Sequence, residues 1–215
     1  YCCGNGELLK RVYQNYAKKA GKRNNMRTAQ FPLLIGTDIS PEMLDMASDN
    51  LRASGIEAKI LKDARDVTKH RGVVLVEDNM TDSKLPGEIS DVTLLIFPEL
   101  QIALTPLVQE IAINNFASPQ NLKFFLQYYR LSRATKRGKH VIIADYSDSE
   151  GDKSDYDRAY HEGEEGLASK FGLQLLRTSF TESLEIFADL SEDRQQYFKQ
   201  TRRKLGYRTL VFRKK

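Results

Sequence analysis

Cysteine is scarce: the 215-residue chain has two, Cys2 and Cys3, and they are neighbours. Adjacent cysteines cannot staple distant segments, so no disulfide framework is expected and a reducing, cytoplasmic setting is the natural one. Two cysteines and three histidines show no zinc-type spacing, so no metal site is expected. Long apolar runs are missing too. The most apolar stretch, Val92–Leu104, is interrupted by Pro98, Glu99 and Gln101, and a membrane helix needs roughly 20 apolar residues. A large charge excess is also absent, since 33 basic against 29 acidic residues leaves +4. With 40% hydrophobic residues, that balance excludes a wholly disordered chain. The chain opens on Tyr1 rather than Met, so a preceding segment is expected, with a targeting signal left open.

Charge is distributed in blocks. Lys10–Arg27 is basic, Asp145–Lys170 is acidic, and Ser191–Lys215 is basic again. Such blocks are usually solvated faces; an acidic lid or a basic patch for nucleic acid is the sharper alternative. Asp145–Asp157 reads as a loop because it is polar and lacks apolar periodicity.

The rest alternates helices and strands. Glu7–Ala20 carries a helical stripe of Leu8, Leu9, Val12, Tyr13, Tyr16 and Ala17. Phe31–Gly36, running into Thr37 and Asp38, reads as a buried strand. Ser40-Pro41-Glu42 opens a helix, with Ser at the cap and Pro at the first position, that stops near Gly55. Val73–Val76, Val92–Phe97 and His140–Ala144 read as strands, and Asn121–Arg137 as a helix ending at Gly138. Glu162–Phe171 and Glu192–Leu205 read as helices, Leu173–Phe180 and Tyr207–Arg213 as late strands. The pattern predicts one α/β domain over residues 1–215. Its sheet is doubly wound and mostly parallel, with helices on both faces and an antiparallel C-terminal edge strand.

Ligands of open α/β sheets bind beyond the carboxyl ends of the strands, which singles out a few residues. Cys3-Gly4-Asn5-Gly6 precedes a helix, where glycines admit a close backbone approach; a plain tight turn explains them equally well. Asp38 could accept two hydrogen bonds from vicinal ribose hydroxyls, or act only as a helix cap. Asp78, followed by Asn79 and Met80, could hold an adenine amine and ring face, or only make a turn.

The ordered set of glycine turn, helix, strand ending in Asp38 and strand ending in Asp78 resembles the class I, Rossmann-like S-adenosylmethionine-dependent methyltransferases. Cys2-Cys3-Gly4-Asn5-Gly6 aligns with the last five positions of their Asp-x-Gly-x-Gly-x-Gly motif, with Cys2 in place of the first glycine. Gly36-Thr37-Asp38-Ile39-Ser40-Pro41-Glu42-Met43-Leu44 is similar to the second motif. Asp91-Val92 resembles the opening of the fourth strand, and residues 133–145 the helix, glycine turn and fifth strand. The resemblance implies a seven-stranded sheet whose first strand begins upstream of Tyr1. It also implies S-adenosyl-L-methionine as cofactor and S-adenosyl-L-homocysteine as product. By that resemblance Cys3, Gly4, Asn5 and Gly6 would lie against the methionine part, Asp38 on the ribose, and Ile39 against the adenine. Asp78, Asn79 and Met80 would sit at the adenine edge, and Phe97 and Pro98 near the sulfonium. Lys59–Val67 is similar to the third-strand motif as well, which makes Asp63 the rival to Asp78; its apolar spacing also suits a helix.

Methyl transfer chiefly requires alignment and exclusion of water. A hydroxyl or amine acceptor can require a base, for which Asp145, Tyr146, His161 and Glu99 are the candidates. Phe97-Pro98-Glu99-Leu100 replaces the Asn/Asp-Pro-Pro-aromatic signature of adenine and glutamine amino-methylation, and no Pro-Cys nucleophile for cytosine is present. A small-molecule acceptor is the expectation that remains. A protein or nucleic-acid acceptor, or an inactive scaffold, stands behind it. A nicotinamide site is disfavoured, because Leu9 occupies the third-glycine position and Asp38 lies too far downstream.

Overall fold

A computed structural model describes residues 3–21, 32–79, 82–96, 119–149, 165–183, 191–201 and 204–215. The chain divides into two compact units, Tyr1–Ile89 and Ser90–Lys215.

The first unit contains α1 (Glu7–Gly21), β1 (Leu34–Asp38), α2 (Pro41–Ala53), β2 (Ala58–Leu61), a 3-10 turn (Ala64–Lys69) and β3 (Val73–Glu77). The strands are all parallel, in the order β1-β3-β2, with Asp38 beside Glu77 and Leu61 beside Val76. Central β3 is buried on both faces from Val73 to Val76, as its unbroken apolar run requires. Its alternating side chains feed two cores. Val73 and Leu75 pack with Leu44, Ala47, Leu51 and Ile56. Val74 and Val76 pack with Leu61, Ala64, Val67 and Leu85.

Helix α2 is determined at both ends by its sequence. Ser40 has extended backbone angles (φ −93°, ψ 117°), and its Oγ accepts the Met43 N–H at 3.2 Å. At the other end Gly55, at φ +72°, closes the helix, with Gly55 N–H on the Arg52 carbonyl and Ile56 N–H on the Leu51 carbonyl. Between them Leu44, Ala47, Ser48 and Leu51 form the buried stripe.

The second unit holds β4 (Ser90–Ile96), α3 (Pro119–Ala134), β5 (Thr135–Ser149), a helical segment at 165–170, β6 (Leu173–Glu182), α4 (Glu192–Thr201) and β7 (Lys204–Lys214). Its order is β4-β5-β7-β6, with β4 parallel to β5 and β7 antiparallel to both neighbours. Tyr128 and Phe212 are fully buried and meet edge to face at 5.9 Å. Buried Thr135 Oγ1 donates to the Leu131 carbonyl at 2.7 Å, which leaves Thr93 Oγ1 to donate to Thr135 Oγ1, also at 2.7 Å.

Several sequence expectations change here. The described strands form sheets of three and four. The C-terminal strand is not an edge: β7 lies between β5 and β6, because its two late neighbours both pair with it. Ala58–Leu61 is a strand, and the turn after it is 3-10 rather than α. Helix α3 stops at Ala134, and β5 begins at once rather than after Gly138. The start of the polar 145–157 segment is not a loop, since residues 145–149 extend β5 against β7.

Gly36, buried in β1, has no space for a side chain. An added Cβ would lie 2.5 Å from Leu9 Cδ1, 2.9 Å from Leu75 Cδ2 and 3.1 Å from Cys3 Cβ. Gly36→Ala is expected to cost about 1–3 kcal/mol through overpacking. A urea midpoint unchanged from the parent chain would contradict that packing.

Candidate functional site

The glycine turn stands against the carboxyl end of β1. Cys3 N–H donates to the Thr37 carbonyl at 2.8 Å, and Gly6 N–H closes the turn on the Cys3 carbonyl at 3.0 Å. Gly4 and Gly6 have φ of +51° and +77°, which other residues adopt only at a cost. Gly6 also has no room for a side chain, since a Cβ would come within 3.0 Å of Ala47 Cβ on α2. Asn5 precedes α1, and its Oδ1 accepts the Glu7 N–H at 3.2 Å.

Asp38 ties this turn to the next helix. Its Oδ2 accepts the Gly4 N–H at 3.1 Å and its Oδ1 the Ser40 N–H at 3.2 Å. It is therefore not the cap of α2, a role that Ser40 fills. Its backbone carbonyl accepts the Asp78 N–H at 3.0 Å. The glycine turn, Asp38 and Asp78 are thus gathered at one end of β1 and β3. Ile39, next in sequence, is 55% exposed.

Asp78 is buried and folds toward the following loop, where its Oδ1 accepts the Lys84 N–H at 2.8 Å. Asn79 is half-buried, and its carbonyl accepts the Asp82 N–H at 2.9 Å. The rival Asp63 is built differently. It caps the 3-10 turn through the Arg65 N–H at 2.9 Å and is gripped by the Arg65 guanidinium at 2.6–3.0 Å. It follows β2, which is separated from β1 by β3. A cleft of about 490 Å³ opens over the ends of β2 and β3, lined by Lys62, Asp63, Ala64, Arg65, Glu77 and Lys84. Neither the glycine turn nor Asp38 lines it.

Sequence reasoning missed Asn50 and Ala47, one helical turn apart on α2. Asn50 Nδ2 donates to the Asn5 carbonyl at 3.1 Å, across 45 residues. Their i,i+3 spacing signals a shared face, but not what that face meets. Among the base candidates, Asp145 and Tyr146 do not end their strand; they stand within β5, opposite Arg208 and Tyr207. Cys2, Met80, Phe97, Pro98, Glu99 and His161 lie outside the described residues. Among the described residues no three His, Cys, Asp or Glu side chains gather as a metal site would require. No helix among them is long and apolar enough to cross a membrane.

No protein-family model matches the chain, and no curated protein matches it. Solved structures do. The [4+2]-cyclase SpnF is similar with a TM-score of 0.55 at 16% identity, over 99% of this chain and 72% of that one. Geranyl diphosphate C-methyltransferase from Streptomyces coelicolor A3(2), solved with Mg2+, geranyl diphosphate and S-adenosyl-L-homocysteine, gives 0.58 at 10% identity, over 99% and 70%. A SAM-dependent methyltransferase from Methanosarcina mazei gives 0.52 at 13% identity, over 99% and 89%. At such identities the likeness establishes the fold: this chain has the α/β fold of the class I SAM-dependent methyltransferases.

The Arg65 guanidinium and backbone N–H hold the Asp63 carboxyl at about 2, against an ordinary value of 3.8. A lowered carboxyl stabilises the fold above its ordinary value and loses that contribution as pH falls through the lowered one. The Asp63 side-chain carbon shift, followed by NMR, should therefore titrate near 2 and return toward 3.8 in Arg65→Ala. An unchanged midpoint in that variant would show that the fork is not the cause.

Proposed function

We propose that this chain binds S-adenosyl-L-methionine and transfers its methyl group to a small-molecule acceptor, with S-adenosyl-L-homocysteine as product. The observation that carries this reading is the Asp38 carboxylate joined to Gly4 N–H at the end of β1. A carboxylate offers about four acceptor positions. Asp38 uses one on each oxygen for backbone N–H groups, so each oxygen retains capacity for one of two vicinal ribose hydroxyls. Gly4 and Gly6 keep the neighbouring backbone open to the methionine part, with Cys3 and Asn5 framing it. Exposed Ile39 provides an apolar surface for the adenine. For its edge we favour Asp78 and Asn79 over Asp63, because β3 adjoins β1 and β2 does not. Met80, Phe97 and Pro98 are proposed as further cofactor residues from the sequence resemblance alone.

The sulfonium supplies an already activated methyl group. The chain's task is then to hold the cofactor, align the acceptor and exclude water. Asp145 and Tyr146 remain the base candidates within β5, and Glu99 and His161 are candidates from the sequence alone. We read both units as parts of one methyltransferase-like domain over residues 1–215, a reading supported by single solved chains that match 99% of it. A cofactor-binding protein without methyl transfer is the second reading, favoured by the neighbour named as a cyclase.

Calorimetry on the full natural chain should give micromolar-range binding of S-adenosyl-L-methionine and S-adenosyl-L-homocysteine, and none of NAD. Asp38→Ala removes a charged acceptor, a loss of about 1.5–3 kcal/mol, or about tenfold to a hundredfold in Kd. Asp78→Ala should also weaken binding, whereas Asp63→Ala should leave it unchanged. Silence from both sulfur ligands in a folded sample would sink the proposal. Binding without turnover on any acceptor would move the second reading to the front.

A further inference from the structure

The amino-terminal end of β5 gathers a basic surface unrelated to the glycine turn. Helix α3 carries Arg133 in its last turn, and β5 opens through Lys136, Arg137 and Lys139. The carboxyl end of β7 comes to the same end of the sheet, since Arg213 pairs with His140 on β5 and Gln174 on β6. Lys215 N–H donates to the Gly172 carbonyl at 2.8 Å, which brings in Lys170 at the end of the 165–170 helix.

Part of this charge is structural. Cations stabilise helix carboxyl ends, and Lys214 Nζ donates to the Thr135 carbonyl at 2.8 Å just beyond α3. Asp91 bridges Lys136 and Lys139, each at 3.1 Å. Arg133, Lys170, Arg213 and Lys215 are exposed and make no ion pair among the described residues. Four uncommitted cations from three chain segments exceed what two helix ends need.

An aromatic side chain borders this surface. Tyr129 lies one turn before Arg133 on α3 and is 39% exposed, with the Arg130 guanidinium 5.3 Å from its ring centre. Its ring centre is 5.9 Å from that of Phe171, the neighbour of Lys170. A basic track beside an exposed ring is the chemistry that holds single-stranded nucleic acid, through phosphates and a stacked base. A lipid surface would favour a broad apolar wedge instead.

We propose that this end of the second unit binds single-stranded nucleic acid through its phosphate backbone. The surface lies at the amino ends of β4 and β5, whereas open α/β sheets bind their small ligands at the carboxyl ends. It therefore serves to dock or localise the protein, and it does not depend on the methyltransferase reading.

Fluorescence anisotropy of the full chain with labelled oligouridylate and oligothymidylate tests this, with phosphatidylserine vesicles as the rival anion. Binding is expected at about 50 mM salt, with a log–log salt slope of about −2 to −3 if three or four phosphates are neutralised. Preference between the two oligomers separates RNA from DNA as the source. The combined Arg133→Glu, Lys170→Glu, Arg213→Glu and Lys215→Glu variant should weaken binding about tenfold or more, with the circular dichroism spectrum of the parent chain retained. If that variant does not fold, the four corresponding Gln substitutions should weaken binding in the same direction. No binding of either oligomer, binding that survives in the folded variant, or capture by vesicles alone would overturn the proposal.

Discussion

The Asp38 carboxylate is the point through which the first unit is assembled. One oxygen holds the glycine turn through Gly4 N–H, the other holds the entrance of α2 through Ser40 N–H, and its carbonyl holds β3 through Asp78 N–H. A buried or half-buried N–H left without an acceptor costs about 1–3 kcal/mol. Loss of this one side chain would orphan two. The entry to α1, the start of α2 and the end of β1 are therefore mechanically one object. A ligand that uses the remaining acceptor capacity of Asp38 meets a preorganised turn, which is how affinity is gained without ordering cost.

The turn is braced from its other side by α2. Asn50 holds the Asn5 carbonyl, and Ala47 leaves only the space that a glycine at position 6 can use. This explains why the glycines matter even before any ligand is considered: Gly4 and Gly6 supply the left-handed conformations, and Gly6 also allows the close approach. The second unit works by a different constraint. Its long β5 is parallel to β4 on one side and antiparallel to β7 on the other, so the fold changes strand direction within one sheet.

Much of this was legible in the residues. Ser40-Pro41 and Gly55 mark the ends of α2 by local chemistry alone, and the apolar run of β3 announces a buried parallel strand. Asp38 and Asp78 were found because each follows such a run. The failures have physical causes. Ala58–Leu61 has exposed Lys59 and Ile60 on a sheet edge, so no clean period of two survives. Residues 145–149 are polar, yet their backbone groups pair with β7 whatever the side chains are. Thr135–Lys139 reads as helix end and turn, because the strand pairing there is Thr135 opposite Ser90 of β4, far away in sequence. Asn50 is one of many polar helix residues, and only the fold reveals what its amide meets.

The central claim is that Asp38 organises the glycine turn and that the cofactor binds this same device. Amide hydrogen exchange at Gly4 tests both parts at once. The account predicts that Gly4 is protected in the free protein, that Asp38→Ala removes the protection, and that S-adenosyl-L-homocysteine raises it only when Asp38 is present. Unprotected exchange at Gly4 in the parent chain, or equal protection in parent and variant with and without ligand, would contradict it.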